Sequence, residues 1–599
     1  MQMEKEVDGL GGTADGEEEV IPLQKVNWEH HGPWSWVSVC SRPGVRWVCE
    51  RTKSDEFSEV ASGLTRTWSR RLKMKRYRPL QIKYPDPALA LAWKYVEGYF
   101  EQSYDAVFGI VHRPSFEARL HAHFENPTAA AQDDGPSWFA LRNIIFAAGS
   151  RCVLAADPTV SFVQAEVQAA QYFQNALSVF SEIIFGHSGF TAVQALALMA
   201  FYSEGLGSPA LEYPLCTNAV QLAQARGLHR EPPKSWGLSA SDDLNRRWLW
   251  WAIYCLEKQI AFRSGRPSLI DDNNISTTIP TSAPPGSTND VEAFTLIVRH
   301  AQISSQISHR IMSVKAFKQA PAQVLDTVHD IHNKLQELLH SLPADLSVDP
   351  SESGDSRRPR PRWTQSLYLH FAIHGSLMAT HIILFYPWIA ARFGTESDPV
   401  FHNQVLSSSK TIANSARQII RILRSVTTDI AAPAWLTFYY PMYAHINLFV
   451  YLLKFPSLSS VLGDLALLDM CTGHFGHIEH VTNSDISFHF PRESAALCLK
   501  FIKANQPQGR ERETAPGTPQ AGANPTLHSN RSRNDLEDID SQLTSSASRD
   551  LTNGNLFDAM DIDVESWNIF SSIDITSDLT AAFGAFVPVE KETNESSTS

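Results

Sequence analysis

The densest set of metal-ligand residue types is Cys471, His474, His477 and His480, with Glu479 among them. Spacings of three turn a thiolate and imidazoles toward one helix face, and that donor set suits zinc. Gly473 and Gly476 weaken the helix that would align them, so the reading favoured here is helix-end histidines rather than a site. A second group, His30, His31, Cys40 and Cys49, lacks the close pairing of structural zinc ligands and reads as satisfied histidines and buried thiols. No phosphate loop, nucleophile elbow or HExxH helix occurs, so no catalytic residue is assigned and no cofactor is identifiable.

Two further stretches carry charge in a usable pattern. Residues 66–78 hold Arg66, Arg70, Arg71, Lys73, Lys75, Arg76 and Arg78 with no acid, interleaved with Trp68, Leu72 and Met74. Such a run can lie along phosphates, act as a nuclear import signal, or form a solvated helix face. Residues 556–570 alternate Phe557, Met560, Ile562, Val564, Trp567, Ile569 and Phe570 with Asp558, Asp561, Asp563 and Glu565. Acids keep such aromatics solvated until a partner groove accepts them, the logic of an activation segment; the bland alternative is a short helix folded back on the main domain.

The elements that must position these groups are helices. Around 211–280, Leu215, Ala219, Leu222 and Ala223 keep helical spacing, Pro214 suits a first turn, and Gly227 is placed for a left-handed end. Ser241 with Asp242 and Asp243 reads as an N-cap with first-turn acids. The helix they open carries Leu244, Trp248, Trp251 and Cys255 on one stripe and Leu249, Ile253, Leu256 and Ile260 on another, so it is buried on most sides. Gly265 and Pro267 end it. Further helices are expected over 88–102, 138–155, 162–184, 191–204, 291–311, 321–342, 363–385, 404–425 and 434–454. Strand signals are scarce, and the fold class is all-α, an irregular multi-helix domain with disordered N- and C-terminal segments.

The chain has 599 residues, more than one compact core usually serves. A net charge of -13 confines any nucleic-acid contact to a local basic patch. Seven scattered cysteines fit a reducing compartment rather than a disulfide framework, and the acidic start lacks a secretory signal. Residues 431–453 contain no Asp, Glu, Lys or Arg, but Pro441, His445 and Asn447 interrupt them, so a buried helix pair is expected rather than a membrane span. Arg357, Arg358, Arg360 and Arg362 sit in a Ser/Pro/Asp-rich stretch read as an exposed linker. The expected division is a disordered acidic start (1–25), a Trp-rich turn segment with the basic stretch (26–83), a helical domain (84–500, its core motifs within 84–285) and a disordered tail (501–599) carrying the 556–570 segment.

Several pieces, in order, resemble the fungal-specific transcription factor domain, the middle homology region of zinc binuclear cluster regulators. Phe108, His112, Arg113, Pro114 and Phe116 match its first motif. Gly227, Leu228, His229, Arg247, Trp250, Trp251, Gly265, Arg266 and Pro267 match its centre, and the likeness runs over roughly residues 84–480. The resemblance implies a nuclear transcription regulator of a metabolic or secondary-metabolite gene set. Its implied partners are DNA, bound directly or through another regulator, the transcription machinery through the acidic tail, a small-molecule effector, and a second copy in a homodimer; no membrane is implied. Zinc is expected only with a cluster of six close cysteines ahead of the helical region, and residues 1–83 hold only Cys40 and Cys49. The alternatives are a helical scaffold or co-regulator that does not bind DNA, and an enzyme with a pocket among the helices.

Overall fold

In the computed structural model the described residues are 34–71, 83–125, 135–186, 189–205, 209–348, 360–390, 393, 399–483 and 487–505, and among them there is no strand. Each long helix packs on its neighbours in sequence. Pro136–Ala155 lies against Leu89–Gln102, Phe162–Ser178 and Phe190–Gly205; Pro209–Ala225 and Ala240–Ser264 follow. Val291–Arg310, Pro321–His340 and Arg360–Phe385 form the middle, and Pro399–Ile422, Tyr440–Lys454, Val461–Val481 and Phe490–Asn505 the far end. One apolar core runs through all of them, from Trp36 to Ile502.

The first described helices close against the last. Trp36 meets Phe438 edge-on with centroids 6.4 Å apart, Phe57 stacks on Phe449 at 5.6 Å, and Trp47 tilts onto Trp388 at 5.8 Å. Arg51 Nε donates to the Leu453 carbonyl at 2.8 Å, and Lys500 Nζ reaches Glu56 at 2.9 Å. The Trp-rich stretch is therefore not built of turns. A 3-10 turn over Trp36–Cys40 leads into helices Arg42–Thr52 and Glu56–Arg71. Pro43 and Gly44, which look like a turn in the sequence, form the first helical turn, where a missing N–H costs nothing; Ser41 caps that turn by accepting from Gly44 N at 3.2 Å.

Other boundaries differ from expectation for local reasons. The helix expected over 162–184 breaks at Val179 (φ -105°) into Phe162–Ser178 and Phe180–Phe185. The segment expected as a helix over 434–454 opens with a wide π-turn at Trp435–Tyr439 before Tyr440–Lys454. Its residues from Tyr440 to Leu453 are all buried, as expected of a core helix. Among the described residues one helix, 361–385, is long and apolar enough to cross a membrane, and it is wholly covered by other helices. Arg362 corrects the linker reading: it is helical, and its guanidinium clamps Asp290, Asp345 and Glu292.

Candidate functional site

The centre of the molecule is the helix Ala240–Ser264, in which every residue from Trp248 to Phe262 is buried. Its cap is Ser239, two residues before the serine expected: Ser239 Oγ accepts from Asp242 N at 3.1 Å and donates to the Asp242 carboxylate at 2.7 Å. The acids Asp242 and Asp243 do occupy the first turn, and Gly265 ends the helix at φ 70°. The preceding helix Pro209–Ala225 starts early enough to place Pro214 inside it, not in its first turn. Gly227 follows that helix at φ 64°, and Arg246 Nη2 donates to the carbonyls of Arg226 and Gly227 at 3.2 Å each, satisfying helix-end acceptors from the next helix along.

A strap formed by residues 276–290 is fastened across this helix by motif residues. Trp248 Nε1 donates to the Ser282 carbonyl and Trp251 Nε1 to the Thr278 carbonyl, both at 3.0 Å. Arg247 ties Asp243 (2.9 Å), Glu231 and the Thr278 hydroxyl together. The carbonyl of His229 accepts from Ser276 N at 3.0 Å, and its ring lies 5.5 Å from that of Trp250. His229 Nδ1 and Trp250 Nε1 are both buried without a hydrogen-bond partner among the described residues. Leu228 is buried beside them.

The first motif reaches the same strap from the other side. Gly109 sits at φ 64°, and a Cβ there would run into Asn289 and Trp248. His112 bridges Ser115 Oγ (2.7 Å) and the Pro285 carbonyl (2.8 Å), while Gln194 Nε2 donates to the Ile110 carbonyl at 2.8 Å. Arg113 pairs with Glu117 at 2.7 Å and with Glu101; Pro114 touches the strap at Gly286, whose Cβ, if present, would meet it at 3.1 Å. Phe116 packs on Trp138 (5.3 Å), and Phe108 on Phe201 (4.7 Å) and Tyr368 (5.5 Å). The two motif groups, more than a hundred residues apart in sequence, thus meet on one strap.

Below the strap lies a buried charge cluster that sequence reading missed. Arg263 Nη2 contacts Glu212 Oε1 at 2.9 Å and also Glu204, and all three side chains are nearly or fully buried. Burial pushes the Glu204 carboxyl up to about 8 against the pull of Arg263, raises Glu212 likewise, and lifts Asp105 to about 6 against Arg151. Arg266 faces the Tyr213 ring at 4.7 Å. Beyond Pro267, buried Lys258 donates to Ser268 Oγ (2.9 Å), the Ile270 carbonyl (2.8 Å) and Asp272 (2.9 Å). Glu257 accepts from Leu269 N at 2.6 Å and from Ser268 Oγ at 2.9 Å. The sequence did offer a signal: Glu204, Glu257, Lys258 and Arg263 are charges set within otherwise apolar helix, where an ion needs a partner. This arrangement holds and shares protons but exposes no nucleophile.

The remaining candidates are placed apart. Helix Val461–Val481 runs unbroken through Gly473 and Gly476, because Leu468, Cys471, Phe475 and Ile478 bury one continuous face; packing outweighs the two glycines. Cys471 Sγ donates to the Pro441 carbonyl at 3.4 Å and His474 Nε2 bonds the Thr437 carbonyl at 2.7 Å, whereas His477 and His480 point to solvent. Burial raises the Cys471 thiol and lowers His474. These residues do not fit a zinc ion, and among the described residues no three His, Cys, Asp or Glu groups converge as metal ligands. All seven cysteines are unpaired and sit on different elements, so they do not fit a binuclear zinc cluster either. Arg66, Arg70 and Arg71 end the helix Glu56–Arg71; Lys73, Lys75, Arg76, Arg78, His30, His31 and the segment 556–570 lie outside the described residues.

Comparison with known proteins bears on this geometry. Residues 96–423, more than half of the chain, match the fungal specific transcription factor domain. The chain is 24% identical over 497 residues to the ABC-transporter-regulating transcription factor of Aspergillus fumigatus, covering 78% of this chain and 53% of the relative. It is 23% identical over 414 residues to the fusaridione A cluster transcription factor of Fusarium heterosporum, covering 67% of this chain and 73% of the relative. Similarity to the lactose regulatory protein of Kluyveromyces lactis is 26% over 231 residues, 39% of this chain and 24% of the relative. The chain spans about half the length of the first two curated relatives it matches, at 53% and 54%.

Proposed function

The chain belongs to the fungal specific transcription factor domain family, and from that membership we propose that it is a nuclear transcription regulator whose helical domain governs the output of the acidic-aromatic segment 556–570. The observation that carries this reading is the strap: the motif residues His112, Trp248 and Trp251, scattered through the matched region, all bind residues 278–285. They are fastenings of a domain core, not members of a reaction centre, and we assign the protein no catalytic reaction. A relative is named for regulating ABC transporters and another for a secondary-metabolite cluster, which supports a gene set of export or secondary metabolism as the target.

DNA is reached directly through the basic residues of 66–78, or through a partner regulator; the scattered, unpaired cysteines favour the partner route. The tail engages the transcription machinery, and a small-molecule effector or a second copy of the chain sets the state of the helical domain. Zinc enters only with a separate cysteine cluster. Chromatin immunoprecipitation of the tagged full chain from its fungal host, paired with transcript levels after deletion, tests the reading. Discrete promoters whose genes change on deletion are expected; a chain absent from the nucleus, or transcripts unaltered by deletion, would overturn it. Salt titration of the purified chain on those promoters separates direct contact, with a steep salt slope, from recruitment through a partner.

A further inference from the structure

A groove of about 850 Å³ runs between helices Pro399–Ile422 and Val461–Val481, lined by Asn414, Arg417, Arg421, Ala466, Leu467 and Met470 among others. Its two walls differ in chemistry. On the first helix Lys410, Asn414, Arg417 and Arg421 recur at spacings of four, three and four, a single polar and cationic stripe. Arg417 is committed: it makes a two-pronged pair with buried Asp464, both contacts at 2.7 Å, and fixes the groove floor. Lys410 and exposed Arg421 have no acidic partner among the described residues. The second wall is apolar, with Ala466, Leu467 and exposed Met470 beside Leu462, which is 67% exposed. The exposed acid of that wall's helix, Asp469, lies toward Cys498 and away from the cationic stripe.

We propose that this groove is the docking site of the chain's own segment 556–570, which binds it as an amphipathic helix; the proposal rests on reading that segment as the activation segment. At helical spacing Phe557, Met560, Val564 and Trp567 recur at three, four and three, and Asp558, Asp561 and Glu565 form the adjoining stripe. An apolar stripe flanked by an acidic one is the complement of an apolar wall facing a cationic one. The segment begins about 50 residues beyond the last described helix, which ends at Asn505; a flexible linker of that length has a root-mean-square reach of about 40 Å, comparable to the domain itself. Tethering at that length supplies an effective concentration of order millimolar, so a weak contact suffices to hold the segment and two exposed cations suffice to steer it. Docked, the segment hides Phe557 and Trp567 from the transcription machinery; undocked, it presents them.

Hydrogen–deuterium exchange on the full-length protein tests this. Protection is expected in 556–570 and in 462–470 together, lost from both in Phe557→Ala/Trp567→Ala. In Lys410→Glu/Arg421→Glu, which replaces exposed side chains and leaves the Arg417–Asp464 pair intact, both segments should exchange roughly fivefold faster or more, with an unchanged thermal midpoint. The same variant, tethered to a reporter promoter through an unrelated DNA-binding module, should raise transcription. Exchange in 556–570 that ignores the charge reversal overturns the docking even if Phe557→Ala/Trp567→Ala abolishes reporter output, which would leave the activation reading standing. Coupled protection with a silent reporter in every variant would instead keep the docking and remove the activation reading. Protection that grows with protein concentration would assign the groove to a second copy and overturn the intramolecular proposal.

Discussion

Trp251 Nε1 donates to the carbonyl of Thr278 at 3.0 Å, so one side chain both fills the core and holds the strap that the first motif touches from the opposite side. Trp251→Ala should cost about 3–5 kcal/mol, from the cavity left by a large buried ring plus an unpaired carbonyl. Trp251→Phe keeps most of the packing and loses the hydrogen bond, for about 1–3 kcal/mol. Urea denaturation of both variants checks the order; equal stability of wild type and Trp251→Ala would show that the ring is not the fastening described here.

Gly109 makes a second, independent test of the strap. Its φ of 64° is strained for any residue with a Cβ, and the space where that atom would go is taken by Asn289 and Trp248. Gly109→Ala should destabilise by at least about 1–3 kcal/mol. Because the strain spreads to the strap, backbone amides of 278–289 should exchange faster than those of Pro136–Ala155, as read by hydrogen exchange. Uniform destabilisation across the molecule would argue against a local strap.

The cluster around Arg263 predicts a pH dependence of definite sign. Glu204 titrates at about 8 in the fold, above its value of about 4.5 in an unfolded chain, so the stability that its protonated form contributes is present below the unfolded value and lost as pH rises through 8. Glu204→Gln removes that loss, and its stability relative to wild type should improve from pH 6 to pH 9 in thermal melts. Arg263→Met leaves Glu204 and Glu212 buried without their cation and should cost about 3–5 kcal/mol at neutral pH. A Glu204→Gln curve parallel to wild type across that range would mean that the carboxylate is already neutral throughout.

The helices were readable where the sequence punctuates itself. Gly227 and Gly265 have the left-handed geometry their positions announced, and the two-stripe pattern from Leu244 to Ile260 became a helix buried all round. Positions with two equivalent signals slipped: Ser239 and Ser241 both precede the acids, and only the reach of Ser239 Oγ to Asp242 N decides between them. Pro43 and Gly44 were ambiguous in the same way, since the residues that make a turn also start a helix. Arg362 was misread because its three acidic partners come from other segments, Asp290 lying 72 residues away. The Arg263 contacts with Glu204 and Glu212 span 59 and 51 residues, and no local pattern encodes such pairing; only the anomaly of a charge in an apolar stretch points to it.

Acid should unfold the protein early, and the histidines say why. Burial lowers His300 to about 4 and His374, His381 and His445 to about 3, so these rings are neutral in the fold but take up a proton near 6.5 once unfolded. Their contribution is complete above 6.5 and drains away as pH falls, each proton adding about 1.4 kcal/mol per pH unit to the slope. Geometry explains the depression at His445: Ser494 Oγ donates to the Phe490 carbonyl at 2.7 Å and accepts from His445 Nε2 at 2.9 Å, which leaves Nδ1 buried with no acceptor for a second N–H among the described residues. Against a total stability of about 5–15 kcal/mol, a loss of this slope should bring cooperative unfolding between about pH 6 and pH 4. Replacing one member, as in His374→Phe, should flatten the dependence of the denaturation midpoint on pH by about one proton. A wild-type midpoint that stays level from pH 7 to pH 4.5 would show that the rings reach water before the fold gives way.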